Sequence, residues 1–235
     1  MKAGTHSVRL LRREDICDDV ALFSFSRPKE YAFAAGQYLR LHLEPSEGPS
    51  AKPFSHCSAP GDEAIEITTR LSGSPFKRAL AGLQPGGGVR VSGPMGHFLL
   101  PDPPPKVVFL VGGIGITPVR SMIRDAVARS NGLDAVLVYG NRSPACVPFR
   151  SEFEGLEEYG IRVLHVFEQA GEDWRGETGF ISAAVVRNGV PDSASRLFVT
   201  AGPPVMVEAM EMVLNQLSVD EERRLVERFG TGPRT

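Results

Sequence analysis

VGGIGITP, residues 111–118, follows the apolar run 106–110 and precedes the stretch VRSMIRDAVARSNG, which has helical periodicity. An apolar strand, a turn with three glycines and a helix that opens near a proline are typical of a strand–turn–helix unit. In parallel α/β sheets, ligands bind beyond the carboxyl ends of the strands, where this turn would lie. The stretch therefore predicts a ligand-facing turn in an α/β domain.

The glycines of this turn set what it can hold. Gly112, Gly113 and Gly115 lack a Cβ, so the turn can be tight and a diphosphate can approach the backbone closely. Thr117 is predicted as the helix N-cap and Pro118 as the first helical residue, which would leave free N–H groups for an anion. The same residues also suit a plain turn that binds nothing, so the run alone leaves both interpretations open.

Strands and helices alternate along the rest of the C-terminal half, which indicates a parallel sheet covered on both faces. The predicted strands are KVVFLVG, AVLVYG, IRVLHVF and RLFVTAG, and the predicted helices lie in VRSMIRDAVARSNG, FRSEFEGLEEYG, FISAAVVRNG and PPVMVEAMEMVLNQL. A second unusual turn, TAGPPVM at 200–206, follows the last of these strands. Two prolines can simply mark a helix start, but two such turns at strand ends of one sheet favour a shared pocket.

The first hundred residues have a different pattern, with short β-type runs divided by Gly and Pro. The runs SVRLL, VALFSF, QYLRLHL, AIEITTRL and VRVSG predict a small antiparallel barrel or sandwich. One helix interrupts them near 74–81, with Ser74 as its cap and Pro75 at the first position. Two domains are therefore expected, 1–102 and 103–235, joined by the proline-stiffened linker 101–105.

The overall composition limits the class of protein. A hydrophobic content of 42% and a net charge of −2 are typical of a globular chain and give no reason to expect a nucleic-acid partner. No apolar run approaches the roughly 20 residues of a membrane span, and the N-terminus becomes charged too early for a secretory signal. The cysteines at 17, 57 and 146 share no metal-type spacing and cannot all pair. These features predict a cytoplasmic protein, and the histidines show no arrangement typical of a metal site.

Four stretches in order resemble the ferredoxin–NADP reductase-like flavoprotein family, which has an antiparallel FAD-binding barrel followed by a nicotinamide-dinucleotide domain. They are KPFSHCSAP at 52–60, GPMGHF at 93–98, GGIGITP at 112–118 and AGPP at 201–204. The resemblance covers nearly the whole chain. It implies a two-domain flavin oxidoreductase that takes hydride from NAD(P)H and passes electrons to an acceptor.

For FAD, the resemblance implies that Lys52 faces the diphosphate, Phe54 packs on the isoalloxazine ring and Ser55 bonds near flavin N5, where it is a candidate catalytic residue. It further implies FAD contacts from Pro53, Ser58, Thr69, Ser72, Gly73 and Ser74. Without the motif order, a solvated charge at Lys52 and a core residue at Phe54 are the simpler interpretations. Likewise His56 and Cys57 suggest a nucleophilic pair, but a packed thiol is the favoured interpretation of Cys57 because strand neighbours point to opposite faces.

For NAD(P)H, the resemblance implies contacts from Gly113, Gly115, Thr117, Pro118, Asn141, Arg142, Ser143, Ala201, Gly202, Pro203, Pro204 and Met206, with Thr117 as a second candidate catalytic residue. Arg142 and Ser143 could pair with a 2′-phosphate, and their loop has no acidic residue for a ribose diol, which favours NADPH slightly over NADH. By the same resemblance, Phe229 would lie near the flavin. The alternative is an ordinary packed aromatic residue or a frayed terminal one.

Three departures from the family pattern have expected consequences. Lys52 stands where the family has arginine, so the planar fork that binds phosphate through two hydrogen bonds is lost. Phe54 stands where the family has tyrosine, so a hydroxyl group is lost. Weaker FAD binding is therefore expected. Ala201 stands where the family often has cysteine, so hydride transfer should be slower. These changes also keep open a non-catalytic or partner-assembly role with weakened or lost FAD binding.

The electron acceptor is predicted to be separate from this chain. No cysteine follows Cys146, so the segment after it cannot ligate an iron–sulfur cluster as in several relatives. Electrons would pass to a ferredoxin, an oxygenase or other redox subunit, or a small molecule.

Overall fold

The computed structural model describes residues 4–17, 19–45, 48–129 and 132–230 of the 235-residue chain. The chain forms two compact units. One runs to Leu99 and includes Thr117–Asp125, and the other comprises Leu100–Ile116 and the chain from Ala126 onward. The predicted boundary at residue 102 remains a prediction.

The first unit is a curled antiparallel sheet with one helix. Its elements are β1 (Gly4–Cys17), β2 (Val20–Ser26), β3 (Tyr38–Leu43), β4 (Ser50–Ser55), β5 (Ala64–Arg70), α1 (Pro75–Ala81) and β6 (Gly88–Met95). The strand order is β4-β3-β6-β1-β2-β5, and every pairing is antiparallel. Beyond the end of β4, the Cys57 N–H donates to the Glu66 carbonyl on β5 at 2.9 Å, which joins the two outer strands of the order. The predicted antiparallel barrel is confirmed as this half-barrel.

A single apolar cluster fills the inside of the curled sheet. Alternation places Val8 and Leu10 of β1 inside, and Phe23 and Phe25 of β2 join them. Phe76 and Leu80 of α1 close the cluster from one end. Ser74 caps α1 as predicted, with its Oγ accepting from the Lys77 N–H at 3.3 Å. The inside of the half-barrel is therefore a packed apolar core.

The second unit is the predicted parallel α/β sheet. The elements that follow residue 100 are β7 (Val107–Gly112), α2 (Ile116–Arg129, whose residues 117–125 belong to the first unit), β8 (Ala135–Asn141), α3 (Arg150–Phe153), β9 (Ile161–Phe167), β10 (Glu177–Thr178), α4 (Ala183–Gly189), β11 (Leu197–Gly202), α5 (Pro204–Gln216) and β12 (Arg224–Arg228). The order is β10-β9-β8-β7-β11-β12, and all pairings are parallel. The central strands β7 and β8 are buried almost throughout, and α4 and α5 pack against them in one apolar cluster. The longest described helix has 14 residues, and none in the described part of the chain is long and apolar enough to cross a bilayer.

Some elements differ from the sequence-based expectation. The helix predicted in FRSEFEGLEEYG is broken into α3 and a 3₁₀ turn at Leu156–Tyr159, because Gly155 between them is left-handed at φ 85°. The predicted helix after the glycine turn was expected to end at 131–132. α2 ends at Arg129, and residues 130 and 131 lie outside the described ranges. The strands β4, β10 and β12 were not predicted, since they are short or rich in polar residues.

Candidate functional site

The β4 motif presents its predicted FAD residues in different environments. Lys52 and Pro53 are exposed, Ser55 is half-buried and Phe54 is 9% exposed. Phe54 belongs to the core cluster of the first unit and stacks on Phe76, with ring centroids 6.0 Å apart and an interplanar angle of 27°. The FAD-binding roles of these four residues remain predictions.

A lysine on α1 lies over the same aromatic ring. Lys77 Nζ is 4.5 Å from the centroid of Phe54, and it donates a hydrogen bond to the hydroxyl of Thr69 on β5. Burial lowers the pKa of Lys77 to about 8. Neither the family motifs nor the hydrophobic periodicity pointed to Lys77. In a helix as short as α1, the sequence pattern does not indicate which neighbours a lysine side chain contacts. We call Phe54, Phe76, Lys77 and Thr69 the β4–α1 cluster.

The turn before α1 carries the remaining predicted FAD residues of that segment. Ser72, Gly73 and Ser74 are all exposed. The Ser72 hydroxyl donates to the Ser74 hydroxyl at 3.4 Å, and the Arg78 guanidinium donates to the Gly73 carbonyl. This turn leads directly into the first turn of α1, which bears Lys77.

The segment after β4 is structural rather than nucleophilic. Cys57 is fully buried, its Sγ lies 3.2 Å from the Thr68 hydroxyl, and burial raises the pKa of its thiol to about 11. His56 stacks on Phe33 at 3.9 Å and lies 2.9 Å from the Tyr31 hydroxyl, and burial lowers its pKa to about 4. The packed-thiol interpretation of Cys57 is therefore confirmed. The Ser58 hydroxyl accepts from the Glu66 N–H at 3.0 Å, so this candidate FAD residue is already bonded inside the unit.

The glycine turn after β7 enters helical geometry earlier than the sequence suggested. A 3₁₀ turn spans Gly113–Gly115 and runs directly into α2 at Ile116, so the extended, cap-like residue is Gly112 at φ −132°, ψ 138°. The prediction of Thr117 as N-cap and Pro118 as first helical residue is therefore wrong. Pro118 is tolerated because N–H groups of a first helical turn need no intrahelical acceptor. Both residues are buried, and their contacts with a coenzyme, like the catalytic role of Thr117, remain predictions.

Two predicted coenzyme turns meet at the carboxyl edge of the parallel sheet. A Cβ built on Gly115 would lie 2.1 Å from the carbonyl oxygen of Ala201, so only glycine permits this approach. A Cβ built on Gly112 would lie 3.4 Å from the Gly140 carbonyl oxygen and 3.8 Å from the Met206 side chain, which are ordinary contacts that do not by themselves require glycine. α5 begins at Pro204, after Pro203 in extended conformation, and both prolines are exposed. At this edge of the sheet, the glycine turn thus contacts the backbone at Ala201, whereas the start of α5 is exposed to solvent.

The last residue of β8 is a buried group with an unused donor. Asn141 is 6% exposed, and its Nδ2 has no hydrogen-bond partner among the described residues. Arg142 is exposed and Ser143 is half-buried. A buried amide donor without a partner is costly, and a ligand oxygen at this strand end would remove the cost.

The sequence comparison missed an acidic residue beside this turn. The Glu168 N–H donates to the Asn141 carbonyl at 3.1 Å, and the Gln169 N–H donates to the Arg142 carbonyl at 2.8 Å. Glu168 follows β9 and is exposed, so a carboxylate stands next to the Arg142 loop although the loop itself has none. Carboxylates after a strand hydrogen-bond a ribose diol in dinucleotide-binding sheets, and residue spacing alone could not show this adjacency.

The C-terminal segment pairs with the AGPP strand. β12 is parallel to β11 and aligns Glu227 with Ala201, and the Phe229 N–H donates to the Gly202 carbonyl at 2.8 Å. Phe229 is half-buried next to the turn, and its position relative to a flavin remains a prediction. Burial raises the pKa of Glu227 above its ordinary value of 4.5. Glu227 is a second missed candidate, since the sequence offered only a charged segment.

Replacing Glu227 with glutamine should flatten the pH dependence of stability. A carboxyl group whose pKa is raised in the folded state favours folding most below its ordinary pKa, and this contribution is lost as pH rises through the raised value. We therefore expect the free energy of unfolding of E227Q to exceed that of the wild type by more at pH 7 than at pH 4, measured by urea unfolding at both values. Glu222→Gln, an exposed residue just before β12, is the matched control. Parallel profiles for E227Q and wild type would contradict the assignment.

Two family models match the chain, one on each half. Residues 7–99 match the oxidoreductase FAD-binding domain, and residues 109–212 match the oxidoreductase NAD-binding domain. A glycine betaine monooxygenase reductase subunit from Pseudomonas aeruginosa is 30% identical over 98% of this chain, which spans 66%, just under two thirds, of that relative's length. Ferredoxin–NADP reductase B from Sorangium cellulosum is 27% identical, with 97% of this chain and 99% of the relative covered.

Solved structures share the same two-part architecture. An Amycolatopsis cytochrome P450 reductase, GcoB, superposes with a TM-score of 0.85 at 25% identity, covering 97% of this chain and 70% of that one. A ferredoxin NADP⁺ reductase from Neisseria gonorrhoeae, solved with bound FAD and NADP, gives 0.82 at 22% identity over 95% and 98% of the two chains. At that identity the second comparison concerns the fold alone.

Proposed function

This chain belongs to the ferredoxin–NADP reductase-like flavoprotein family, and from that premise we propose that it is an FAD-dependent oxidoreductase that takes hydride from NAD(P)H and passes electrons to a separate acceptor. The observation that carries the proposal is the approach of Gly115 to the Ala201 carbonyl. It brings the glycine turn and the AGPP turn together at the edge of a parallel sheet where dinucleotides bind.

The donors at both candidate sites suit the two cofactors. On the first unit, the half-buried Lys77 ammonium and the exposed turn 72–74 suit an anionic diphosphate, and Phe54 supplies an aromatic ring for a flat ligand. On the second unit, the unpartnered Asn141 Nδ2 and the exposed Arg142 and Glu168 suit a ribose or phosphate. Bound FAD would supply the redox chemistry, so the side chains need only bind, orient and exclude water.

The identity of the nicotinamide coenzyme stays open within the proposal. Arg142 can pair with the 2′-phosphate of NADPH, whereas Glu168 beside it can accept from the ribose diol of NADH and would repel that phosphate. The preference for NADPH inferred from the Arg142 loop is therefore weakened by the fold.

The acceptor is proposed to be a separate redox protein. Relatives include reductase subunits of a monooxygenase and a ferredoxin–NADP reductase, so an oxygenase component or a ferredoxin are the first acceptors to test, followed by small molecules. A cytoplasmic location belongs to the same proposal, because NAD(P)H is available in that compartment.

The decisive experiment is the visible absorption spectrum of the purified protein before and after NADH or NADPH is added without oxygen. We expect a flavin spectrum that bleaches, and the coenzyme that bleaches it faster is the preferred donor. Flavin that stays oxidised with both coenzymes would contradict NAD(P)H as donor. A colourless protein that also fails to bind added FAD would defeat the reductase and support the non-catalytic alternative.

A further inference from the structure

The β4–α1 cluster holds a cation without a matching anion. The Lys77 ammonium contacts the Phe54 ring and the Thr69 hydroxyl, and within the described ranges it forms no ion pair with a carboxylate. Withdrawing an ammonium from water is expensive unless it is paired, and a ring face with one hydroxyl recovers only part of that cost. The lowered pKa of Lys77 reflects the same imbalance. The site therefore has an affinity for an anion that the chain itself does not supply.

The charged groups on the neighbouring elements are engaged elsewhere or carry the same sign. Glu66 of β5 is held by Arg12 and Arg120, and Arg70 of β5 pairs with Asp19. Glu14 and Asp15 on β1, which reaches α1 through the Arg13–Ala81 hydrogen bond, are held by Arg12 and Arg13. The remaining groups offer no carboxylate: Lys52 on β4, Tyr38, Arg40 and His42 on β3, and Arg78 on α1. None of these can neutralise Lys77.

Lys77 also controls access to the Phe54 ring. With Phe76 against the ring and Lys77 over it, Phe54 is only 9% exposed, so a flat ligand can stack there only if the lysine side chain leaves. The backbone of Lys77 is fixed in the first turn of α1, where its N–H donates to the Ser74 hydroxyl. A displaced ammonium therefore stays beside the exposed turn 72–74.

Building on the proposed function, we propose that Lys77, and not Lys52, is the principal cation for the FAD diphosphate, and that its ammonium leaves Phe54 to make that ion pair. Lys52 is exposed, so its charge is already solvated and gains less from a phosphate. Lys77 starts half-buried and, among the described residues, without a carboxylate partner, so the diphosphate relieves its partial desolvation as well as adding attraction. One residue would thus couple diphosphate binding to exposure of the flavin-stacking ring.

Binding of FAD and riboflavin to four proteins tests this assignment: wild type, Lys77→Gln, Lys77→Arg and Lys52→Gln, each stripped of flavin and titrated by fluorescence at pH 7. We expect Lys77→Gln to raise the Kd for FAD about tenfold or more, as loss of a charge-assisted hydrogen bond predicts. Riboflavin, which has no diphosphate, should bind Lys77→Gln no more weakly than wild type. Lys77→Arg should restore most of the FAD affinity, and Lys52→Gln should change it less than Lys77→Gln does.

Several outcomes would overturn the assignment. A larger loss of FAD affinity in Lys52→Gln would return the role to Lys52. Equal losses for FAD and riboflavin in Lys77→Gln would mean that Lys77 only supports the fold. A wild type that binds no FAD would also reject the proposal. FAD that binds but is not bleached by NAD(P)H would defeat the reductase function while leaving the Lys77 assignment testable by the same titrations.

The pH dependence of FAD binding gives an independent readout. Free Lys77 begins to lose its proton near pH 8, whereas a paired ammonium keeps it, so binding takes up a proton above that pH. The Kd of the wild type should be flat below pH 8 and rise above it, by up to about tenfold per pH unit. The rise should be absent in Lys77→Gln and present in Lys52→Gln. A rise that persists in Lys77→Gln would assign the titration to another group and contradict the proposal.

Discussion

Replacing Gly115 with alanine is expected to abolish productive NAD(P)H binding and to lower the free energy of unfolding by about 3 kcal/mol. The alanine Cβ would lie 2.1 Å from the Ala201 carbonyl oxygen and 3.1 Å from its carbon, so backbone rather than a flexible side chain must move. Since that carbonyl belongs to the turn proposed to face the coenzyme, the shift would open the meeting point of the two turns. Urea unfolding and the rate of anaerobic flavin bleaching measure the two effects.

Gly113→Ala is the matched control, two residues earlier in the same turn. A Cβ on Gly113 meets nothing within 4 Å, and only its left-handed φ of 48° opposes a side chain, which costs about 1 kcal/mol. This variant should be the more stable of the two and should keep more of its bleaching rate. If Gly115→Ala matched Gly113→Ala in both measurements, the close approach to Ala201 would not be what requires glycine.

Replacing Arg120 with methionine should lower the free energy of unfolding by about 3–5 kcal/mol, the usual cost of breaking a buried ion pair. Arg120 on α2 is 4% exposed, and it donates to the Glu66 carboxylate at 2.9 Å and to the Cys57 carbonyl at 2.8 Å. Without it, the ion-pair partner left to Glu66 among the described residues is Arg12, whose side chain is 57% exposed, so Glu66 retains an incompletely compensated buried charge. A fall in the melting temperature of roughly 10 °C is expected for a chain of this size.

Two comparisons separate the loss of the buried pair from a general effect of altering α2. Arg124→Gln removes a partly exposed pair with Asp62, 38% and 29% exposed, and should cost less than about 1 kcal/mol. The double variant Arg120→Met with Glu66→Leu removes both charges and should recover part of the stability lost in the single variant. A double variant as unstable as the sum of its two single variants would show that the charges are not coupled.

The pattern of strands and helices read from the sequence predicted most of the fold. Alternating runs in the first hundred residues predicted an antiparallel sheet, and alternating strands and helices predicted a parallel one. Both are confirmed. The strands β4, β10 and β12 were not predicted because their sequences follow no clear hydrophobic period. Tertiary pairing with β3, β9 and β11 holds them as strands instead.

The candidate site was predicted less completely than the fold. Local motifs singled out Phe54, Gly115 and Ala201, since each belongs to a short stretch with an unusual composition. Lys77, Glu168 and Glu227 gave no such signal, because a charged residue on a helix, after a strand or near a terminus is most often a solvated one.

The sequence by itself determined the two domains, the cap of α1 and the glycine and proline turns at strand ends, because these depend on local backbone preferences. Only the tertiary structure decided where α2 begins, which residues lie beside Phe54 and which carboxylates stand beside Asn141 and Ala201. Those features depend on chain segments that are distant in sequence. Burial then sets the free energy of the charged groups. A charge that is well solvated in water destabilises the fold when packing removes its solvent and supplies no partner.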